Sequence, residues 1–267
     1  MAKLYIVGTP IGNMKDITLR ALEALKGADV IACEDTRHSL PLLSHYDIRA
    51  KLIAYHKYNE SECSDRIIEL IASGQNVALI TDAGMPSISD PGAELISKCR
   101  AQGVELELVP GPTAVASAIT LSGLKASGFT FLGFLPEKNT DKRSILSKAA
   151  SAGLPIVIYV APHDLTKTAR LLFEVLGDRT VHVVREITKM YESVTTTTLS
   201  DFKCEERGEM VMIIESAVSE NPLNALTVKG HLEHYISLGM DKKEAVKQVA
   251  HDRGLPKNDV YQQAVEL

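Results

Sequence analysis

Over residues 4–121 short apolar runs alternate with segments of helical spacing, and few folds satisfy that rhythm. Leu4–Val7, Ala28–Ala32, Leu52–Ala54, Val77–Ile80 and Glu105–Val109 read as strands. Between them, Leu19, Leu22 and Leu25 recur at helical spacing, a helix is expected through Tyr46, Ser61–Ala72 is amphipathic, and a further helix is expected at 92–102. Pro110-Gly111-Pro112-Thr113-Ala114 opens one more. Strands separated by helices at this spacing predict a mainly parallel sheet covered on both faces. Its centre is residues 76–92. There a buried strand ends at Thr81-Asp82-Ala83-Gly84, and a second turn, Asp90-Pro91-Gly92, follows. Pro91 is expected to open a helix, with Ser89 or Asp90 as its cap. Ligands of open α/β sheets bind at such carboxyl ends. An ordinary strand–turn–helix connection reads the same way, so this stretch points to a ligand only in company with others.

From Phe129 the pattern changes. Phe131–Phe134 and Ile156–Val160 read as strands, followed by a helix at 164–176. Thr180–Glu186, Glu192–Leu199 and Glu209–Glu215 are three late, closely spaced strands, which predicts an antiparallel portion. The expected organisation is an N-terminal α/β domain over 1–121, a second α/β domain over 122–216, and a helical, helix-turn-helix-like appendage over 222–267. Helices are expected there at 225–238, 241–252 and 256–266, with glycine turns between them. Lys229, Lys242, Lys243, Lys247, Arg253 and Lys257 face an equal number of acids, Glu233, Asp241, Glu244, Asp252, Asp259 and Glu266. Charge therefore does not mark this appendage as a nucleic-acid binder, and a packing role reads equally well.

The chain has 267 residues, room for about two domains of 100–200 residues each. No segment approaches the ~18 uninterrupted apolar residues of a membrane span. The start, Met-Ala-Lys-Leu-Tyr-Ile-Val-Gly, enters a strand at once without a signal-peptide layout. Cys33, Cys63, Cys99 and Cys204 are scattered, as free thiols of a reducing cytoplasm would be, not as a disulfide framework or zinc site. A net charge of −5 argues against a coating of nucleic acid; such a partner needs a local basic patch.

Several loops carry chemistry. Gly8-Thr9-Pro10-Ile11-Gly12 is a tight turn after the first strand, but it is neither G-x-G-x-x-G nor a P-loop. A ligand lying against backbone, without phosphates, suits it better. Glu34-Asp35-Thr36-Arg37-His38 sets two acids, an Arg and a His beyond the second strand. An exposed ion pair with a helix cap is the plain account; a phosphate grip by Arg37 and a proton acceptor among the others is the functional one. Arg185-Glu186-Ile187-Thr188-Lys189 ends a later strand, and Pro136–Arg143 is a locally basic loop. Alone, the first reads as solvated surface or as Arg185 and Lys189 meeting an anionic substrate, and the second equally as a phosphate contact or a linker.

Together these segments are far more specific. Thr9-Pro10-Ile11-Gly12-Asn13, Glu34–His38, Asp82-Ala83-Gly84-x-Pro86, Ser89-Asp90-Pro91-Gly92, Pro110-Gly111-Pro112, Gly133-Phe134-Leu135-Pro136, Arg185-Glu186-x-Thr188-Lys189 and Gly208-Glu209-Met210-Val211 occur in this order. Over residues 4–216 the chain closely resembles the bacterial small-subunit ribosomal RNA methyltransferase I family, of the tetrapyrrole-methylase (class III) fold. The appendage looks like the extra helical segment of some members. One departure stands out: where relatives tend to read Tyr-Glu-Ser-Pro-His-Arg, this chain has Tyr159-Val160-Ala161-Pro162-His163-Asp164. The relatives' Glu and Arg have no counterpart at these positions, while Tyr159, Pro162 and His163 remain.

The resemblance implies S-adenosylmethionine-dependent methylation of a cytidine 2′-hydroxyl in the decoding region of 16S rRNA, with S-adenosylhomocysteine as product. The cofactor is expected between the two α/β domains, against Ile11, Asp82, Gly84, Met85, Thr113, Ala114 and Tyr159. Catalytic roles are expected of Glu34, Asp35, Arg37 and Lys189: a carboxylate for the ribose proton, the two cations for phosphate. RNA contact is expected at Arg37, Lys138, Lys142 and Arg143. No metal is required by such a reaction. A homodimer is implied, with 16S rRNA or the small ribosomal subunit as substrate. Two other readings compete. One is a class III enzyme acting on a corrin precursor or a modified protein side chain, against which the Glu-Asp-Thr-Arg and Asp-Ala-Gly segments speak. The other is a non-enzymatic nucleic-acid-binding regulator built on the last helices, against which the balanced charge speaks.

Overall fold

The structure, a computed structural model, describes residues 2–125, 127–217, 222–253 and 255–264. Asn221, the glycine of the expected turn at 253–256, and Val265 and Glu266 of the last expected helix lie outside the described residues. The chain divides into two compact units, Met1–Ser216 and Ala217–Leu267.

The first unit opens with β1 (Lys3–Val7), α1 (Leu19–Lys26), β2 (Val30–Cys33), α2 (Thr36–His45), β3 (Lys51–Ala54), α3 (Glu60–Ala72), β4 (Val77–Leu79), α4 (Ala93–Ala101) and β5 (Glu105–Val109). The five strands form one all-parallel sheet in the order β3-β2-β4-β1-β5. Side-chain alternation sorts the apolar residues between its two faces. Leu4, Ile6, Val30, Ala32, Val77 and Leu79 pack under α3 and α4, together with Ile67 and Leu95. Val7, Ile31, Cys33, Ala78 and Ile80 pack under α1 and α2, together with Leu25 and Leu43. Burial on both faces is why these strands read as continuous apolar runs. The chain leaves β1 toward β2 on one side and β4 toward β5 on the other, so the strand order reverses between β1 and β4. Such a switch point is where open α/β sheets bind ligands.

Next come α5 (Ala114–Ser122), β6 (Thr130–Phe134), α6 (Asn139–Ala150), β7 (Ile156–Val160), α7 (Leu165–Leu176), β8 (Thr180–Arg185), β9 (Ser193–Thr198) and β10 (Met210–Ile214). They build a second sheet, β6-β7-β10-β8-β9. Only β6 and β7 run parallel; β10, β8 and β9 pair antiparallel, as the three closely spaced late strands predict. One face carries Ile156, Ile158, Met212 and Ile214 against α6 and α7. The other carries Val157, Val184, Val211 and Ile213 against Ala118 of α5 and against Ile11 of the loop after β1. Thus α5, although nearly all of it lies before the expected boundary at 121/122, packs on β8 and β10 of the second sheet.

The helix after the central loop departs from its reading. Pro91 does not open it: α4 starts at Ala93, its cap residue is Gly92 at φ 137°, and no side chain caps it. That backbone conformation favours glycine, and a Cβ there would sit 3.1 Å from Leu79 Cδ2. Ser89 and Asp90 therefore lie outside the helix end, and the Asp90 carboxylate is free to point elsewhere.

In the second unit α8 (Val228–Ser237), α9 (Lys242–Arg253) and α10 (Lys257–Ala264) bury Leu232, Val246, Val249, Val260 and Ala264 together. Arg253 closes the bundle: its Nε donates to Nδ1 of the buried His231 at 3.1 Å and its Nη2 to Leu223 O at 3.1 Å. Tyr235 Oη donates to Asp252 Oδ2 at 2.6 Å.

Candidate active site

The loops at the carboxyl ends of β1, β4 and β5 are stitched into one floor. Thr9 N–H donates to Gly84 O at 2.9 Å, and Gly84 N–H returns a bond to Thr9 O at 3.2 Å. The buried Thr9 Oγ1 donates to Thr81 O at 3.1 Å. Gly8 N–H donates to Val109 O at 3.0 Å, and a Cβ on Gly8 would stand 2.7 Å from Gly111 Cα and 2.6 Å from Met85 Sδ. Only two glycines permit that crossing of backbones.

Above this floor, facing the second sheet, lies a cavity of about 380 Å³. Ile11, Ala83, Gly84, Met85, Ile88, Asp90, Thr113 and Ala114 line it from the first sheet's loops and α5. Phe134, Tyr159, Val160, Ala161, Pro162, Ile187, Glu209, Met210 and Val211 line it from the second sheet. The lining is mostly apolar, with few polar groups, as small-molecule sites are. Phe131 and Phe134 meet the Tyr159 ring edge-on, at centroid distances of 5.0 and 5.4 Å. Burial, and next the Asp90 charge, push the Tyr159 hydroxyl above its usual range.

Of the residues expected around a cofactor, Ile11, Gly84, Met85, Thr113, Ala114 and Tyr159 line this cavity, and Asp82 does not. Asp82 turns toward the loop after β2, where its Oδ1 accepts from Asp35 N–H at 3.3 Å and its Oδ2 lies 3.9 Å from His38 Nδ1. In that loop Asp35 caps α2, accepting from Arg37 N–H at 2.8 Å. The Arg37 guanidinium adds Nε at 3.1 Å and Nη2 at 2.7 Å, and these bonds hold the Asp35 carboxyl down at about 2. Asp35 is therefore a weak proton acceptor. Glu34 is its opposite: burial first, then the Asp82 charge, raise its pKa, and no hydrogen bond satisfies it among the described residues.

Lys189 lies on the second sheet's side. Its Nζ sits 3.1 Å from Glu186 Oε1 and 3.0 Å from Glu209 Oε2. Burial opposes its charge, yet these two partners outweigh it and hold its pKa above the usual value. Glu186 also accepts from Glu209 N–H at 2.8 Å, which keeps its own pKa low. Gly12 abuts Lys189: a Cβ there would meet its Cγ at 2.8 Å. Lys138, Lys142 and Arg143 stand at the start of α6, outside the cavity lining, with Arg143 paired to Glu174 of α7.

The family model of the tetrapyrrole (corrin/porphyrin) methylases matches residues 3–203. A ribosomal RNA small subunit methyltransferase I of Halalkalibacterium halodurans is 41% identical over 97% of this chain and 93% of its own length. The chain belongs to this family. A second member, from Mycoplasmopsis pulmonis, is 48% identical over 79% of this chain and 94% of its own. The solved structure of the methyltransferase CobJ covers 82% of this chain and 95% of its own at a TM-score of 0.65 and 19% identity, a likeness of fold.

Within this methyltransferase I fold, two lining residues carry more than their sequence reading gave them. Asp90 is read as a helix cap and Phe134 as part of a strand end, yet both sit inside the Ser89–Gly92 and Gly133–Pro136 motifs that carry the resemblance. Asp90 is the more unusual. It is half-buried, makes no hydrogen bond among the described residues, and is pushed up to about 6 by burial and by the Glu34 and Asp82 charges. At the departure from the family pattern, Val160, Ala161 and Pro162 stand in the cavity wall, while His163 and Asp164 lie outside it, 3.5 Å apart.

Proposed function

We propose that this chain transfers a methyl group from S-adenosylmethionine to the 2′-hydroxyl of a cytidine in the decoding region of 16S rRNA. Near-full-length identity to ribosomal RNA small subunit methyltransferase I carries this reading. A cavity lined by Asp90, on whose carboxylate the Glu34 and Asp82 charges act, supports it. The residues fit the cofactor. Apolar walls of Ile11, Ile88, Phe134 and Met210 suit a purine ring and a thioether. Thr113 makes no side-chain cap bond at the start of α5, so that helix's first N–H groups remain for a carboxylate. S-adenosylmethionine, when bound, supplies a sulfonium methyl group that needs only alignment with an oxygen. The chain's contribution is then positioning, exclusion of water and removal of one proton.

In this reading Arg37 holds an RNA phosphate. Its Nε and Nη2 are committed to Asp35, which fixes the guanidinium plane and leaves Nη1 outward on a side chain 88% exposed. Lys189, fixed by its two acids, offers a second positive point beside Glu209 of the cavity wall. Lys138, Lys142 and Arg143 extend the contact along the RNA. The acceptor nucleotide must leave its helix to reach the cavity, as single-stranded RNA elements do. Asp82 acts by holding the Glu34–Asp35 loop. The enzyme works in the cytoplasm, where rRNA is, and as a homodimer, which sedimentation velocity checks. Among the described residues no helix is long and apolar enough to cross a membrane.

The deciding measurement is mass-spectrometric mapping of ribose methylation on 16S rRNA with and without this protein. A new 2′-O-methylcytidine in the decoding region is the expected result. Base methylation, or transfer only to a corrin precursor, overturns the reading. Arg37→Ala is expected to lower kcat/KM for RNA at least tenfold while leaving cofactor affinity unchanged.

A further inference from the structure

Among the described residues Asp90 alone belongs both to the cavity lining and to the group of carboxylates at the carboxyl ends of β2 and β4. Ile88, Phe134 and Tyr159 line the same cavity, and Glu34 and Asp82 lie close enough to act on its charge. Its backbone is held by an unusual loop. Ser87 and Ser89 both adopt φ 68°, Ser87 N–H donates to Pro91 O at 3.2 Å, and a Cβ on Gly133 would lie 2.6 Å from Ser89 Oγ. Left-handed serines of this kind persist only where their surroundings impose them, and they cluster at functional sites. The result is a half-buried carboxylate with no hydrogen-bond donor among the described residues, at the junction of the cofactor cavity and the acceptor loop. A hydroxyl that enters the cavity can donate to it.

We propose that Asp90 is the proton acceptor for the ribose hydroxyl, an inference that rests on the methyl transfer proposed above. The O–H bond breaks with its proton passing to an Asp90 carboxylate oxygen. The oxygen's electron pair forms the new O–C bond, and the pair of the broken S–C bond stays on sulfur. A carboxylate and a sulfonium become a neutral acid and a neutral thioether. Loss of two opposite charges is favoured in an apolar, water-poor cavity, which is the environment the lining provides. Glu34 beyond β2, Asp82 beyond β4 and Tyr159 of β7 lie within electrostatic reach of Asp90, and burial first, then the two acids, keep it basic. A group poised near 6 is matched to work near neutral pH. Asp35, held ionised by Arg37, lacks that match.

The test is single-turnover methyl transfer to 16S rRNA at saturating cofactor, measured against pH for the intact protein and for Asp90→Asn and Asp90→Glu. Calorimetric binding of S-adenosylhomocysteine is measured alongside. The expected result is a loss of about 10²–10⁴-fold in rate for Asp90→Asn, with S-adenosylhomocysteine affinity unchanged. The intact protein should lose activity as pH falls below about 6, Asp90→Asn should show no such limb, and Asp90→Glu should restore one at a shifted pH. An Asp90→Asn rate within a few-fold of the intact protein overturns the assignment, as does an acid limb that persists in that variant. Loss of S-adenosylhomocysteine affinity also overturns it and makes Asp90 a cofactor anchor. An intact protein that binds cofactor but methylates no RNA overturns the proposed function itself, and this assignment with it.

Discussion

Two acids far apart in sequence, Asp35 and Asp90, set the chemistry at the residue scale. Asp35 is bonded and held at about 2; Asp90 is unbonded and pushed up to about 6. The second shift has a consequence for stability. In the unfolded chain Asp90 ionises in the ordinary range near 3.8, so between there and about 6 the folded state binds more protons than the unfolded one. Stability from this group is therefore present at low pH and is lost as pH rises through that window. Asp90→Asn removes the charged form and, after a discount for solvent screening of this partly exposed group, is expected to stabilise the fold by roughly 1–2 kcal/mol near neutral pH, with little gain near pH 4. Thermal melts at the two pH values check it. Part of this was legible in the sequence: Glu34-Asp35-x-Arg37 announces an ion pair at a helix start, and the structure contains it. The place of Asp90 in the cavity wall was not. A Ser-Asp-Pro-Gly run looks like a cap, and only the left-handed backbone at Gly92 separates the carboxylate from the helix.

At the scale of elements, the site is a matter of loops made to cross. The alternation of apolar runs gave away the parallel sheet because both its faces are covered. Which loops touch was hidden, since Thr9 and Gly84 are joined only after β1 and β4 become neighbours. Gly8 crosses the backbone of Gly111 so closely that a Cβ on it would stand 2.7 Å from Gly111 Cα. Gly8→Ala should force the two loops apart, at a cost of about 1–3 kcal/mol, and should weaken S-adenosylhomocysteine binding more than RNA binding. Calorimetry of both ligands distinguishes this from general unfolding. On the opposite wall, Glu186 at φ 51° and Thr188 at φ 64° hold Lys189 between Glu186 and Glu209. Gly208 leaves the room for Glu186: a Cβ there would meet its carboxylate at 2.6 Å. Gly208→Ala is expected to displace Glu186, release Lys189 and raise KM for RNA severalfold while cofactor affinity holds.

Across the whole molecule the two sheets share one compact unit, and the last helices form another with a core of their own. A chain ending at Ser216 is therefore expected to keep the melting transition of the first unit, whereas Leu79→Ala, in the fully buried centre of the first sheet, should lower its stability by about 2–5 kcal/mol. Chemical denaturation of both variants checks the pair. The helical appendage was readable from its glycine turns, and the antiparallel strands from their β-branched run at 194–198. What spacing could not reveal is the ownership of α5. It is encoded with the first sheet yet lies on β8 and β10. A hybrid protein spliced from two family members at residue 122 would thus roof one parent's β8 and β10 with the other parent's helix. Exchange of whole lobes between relatives should succeed only when the joint is moved upstream, ahead of Thr113, so that roof and sheet are inherited together.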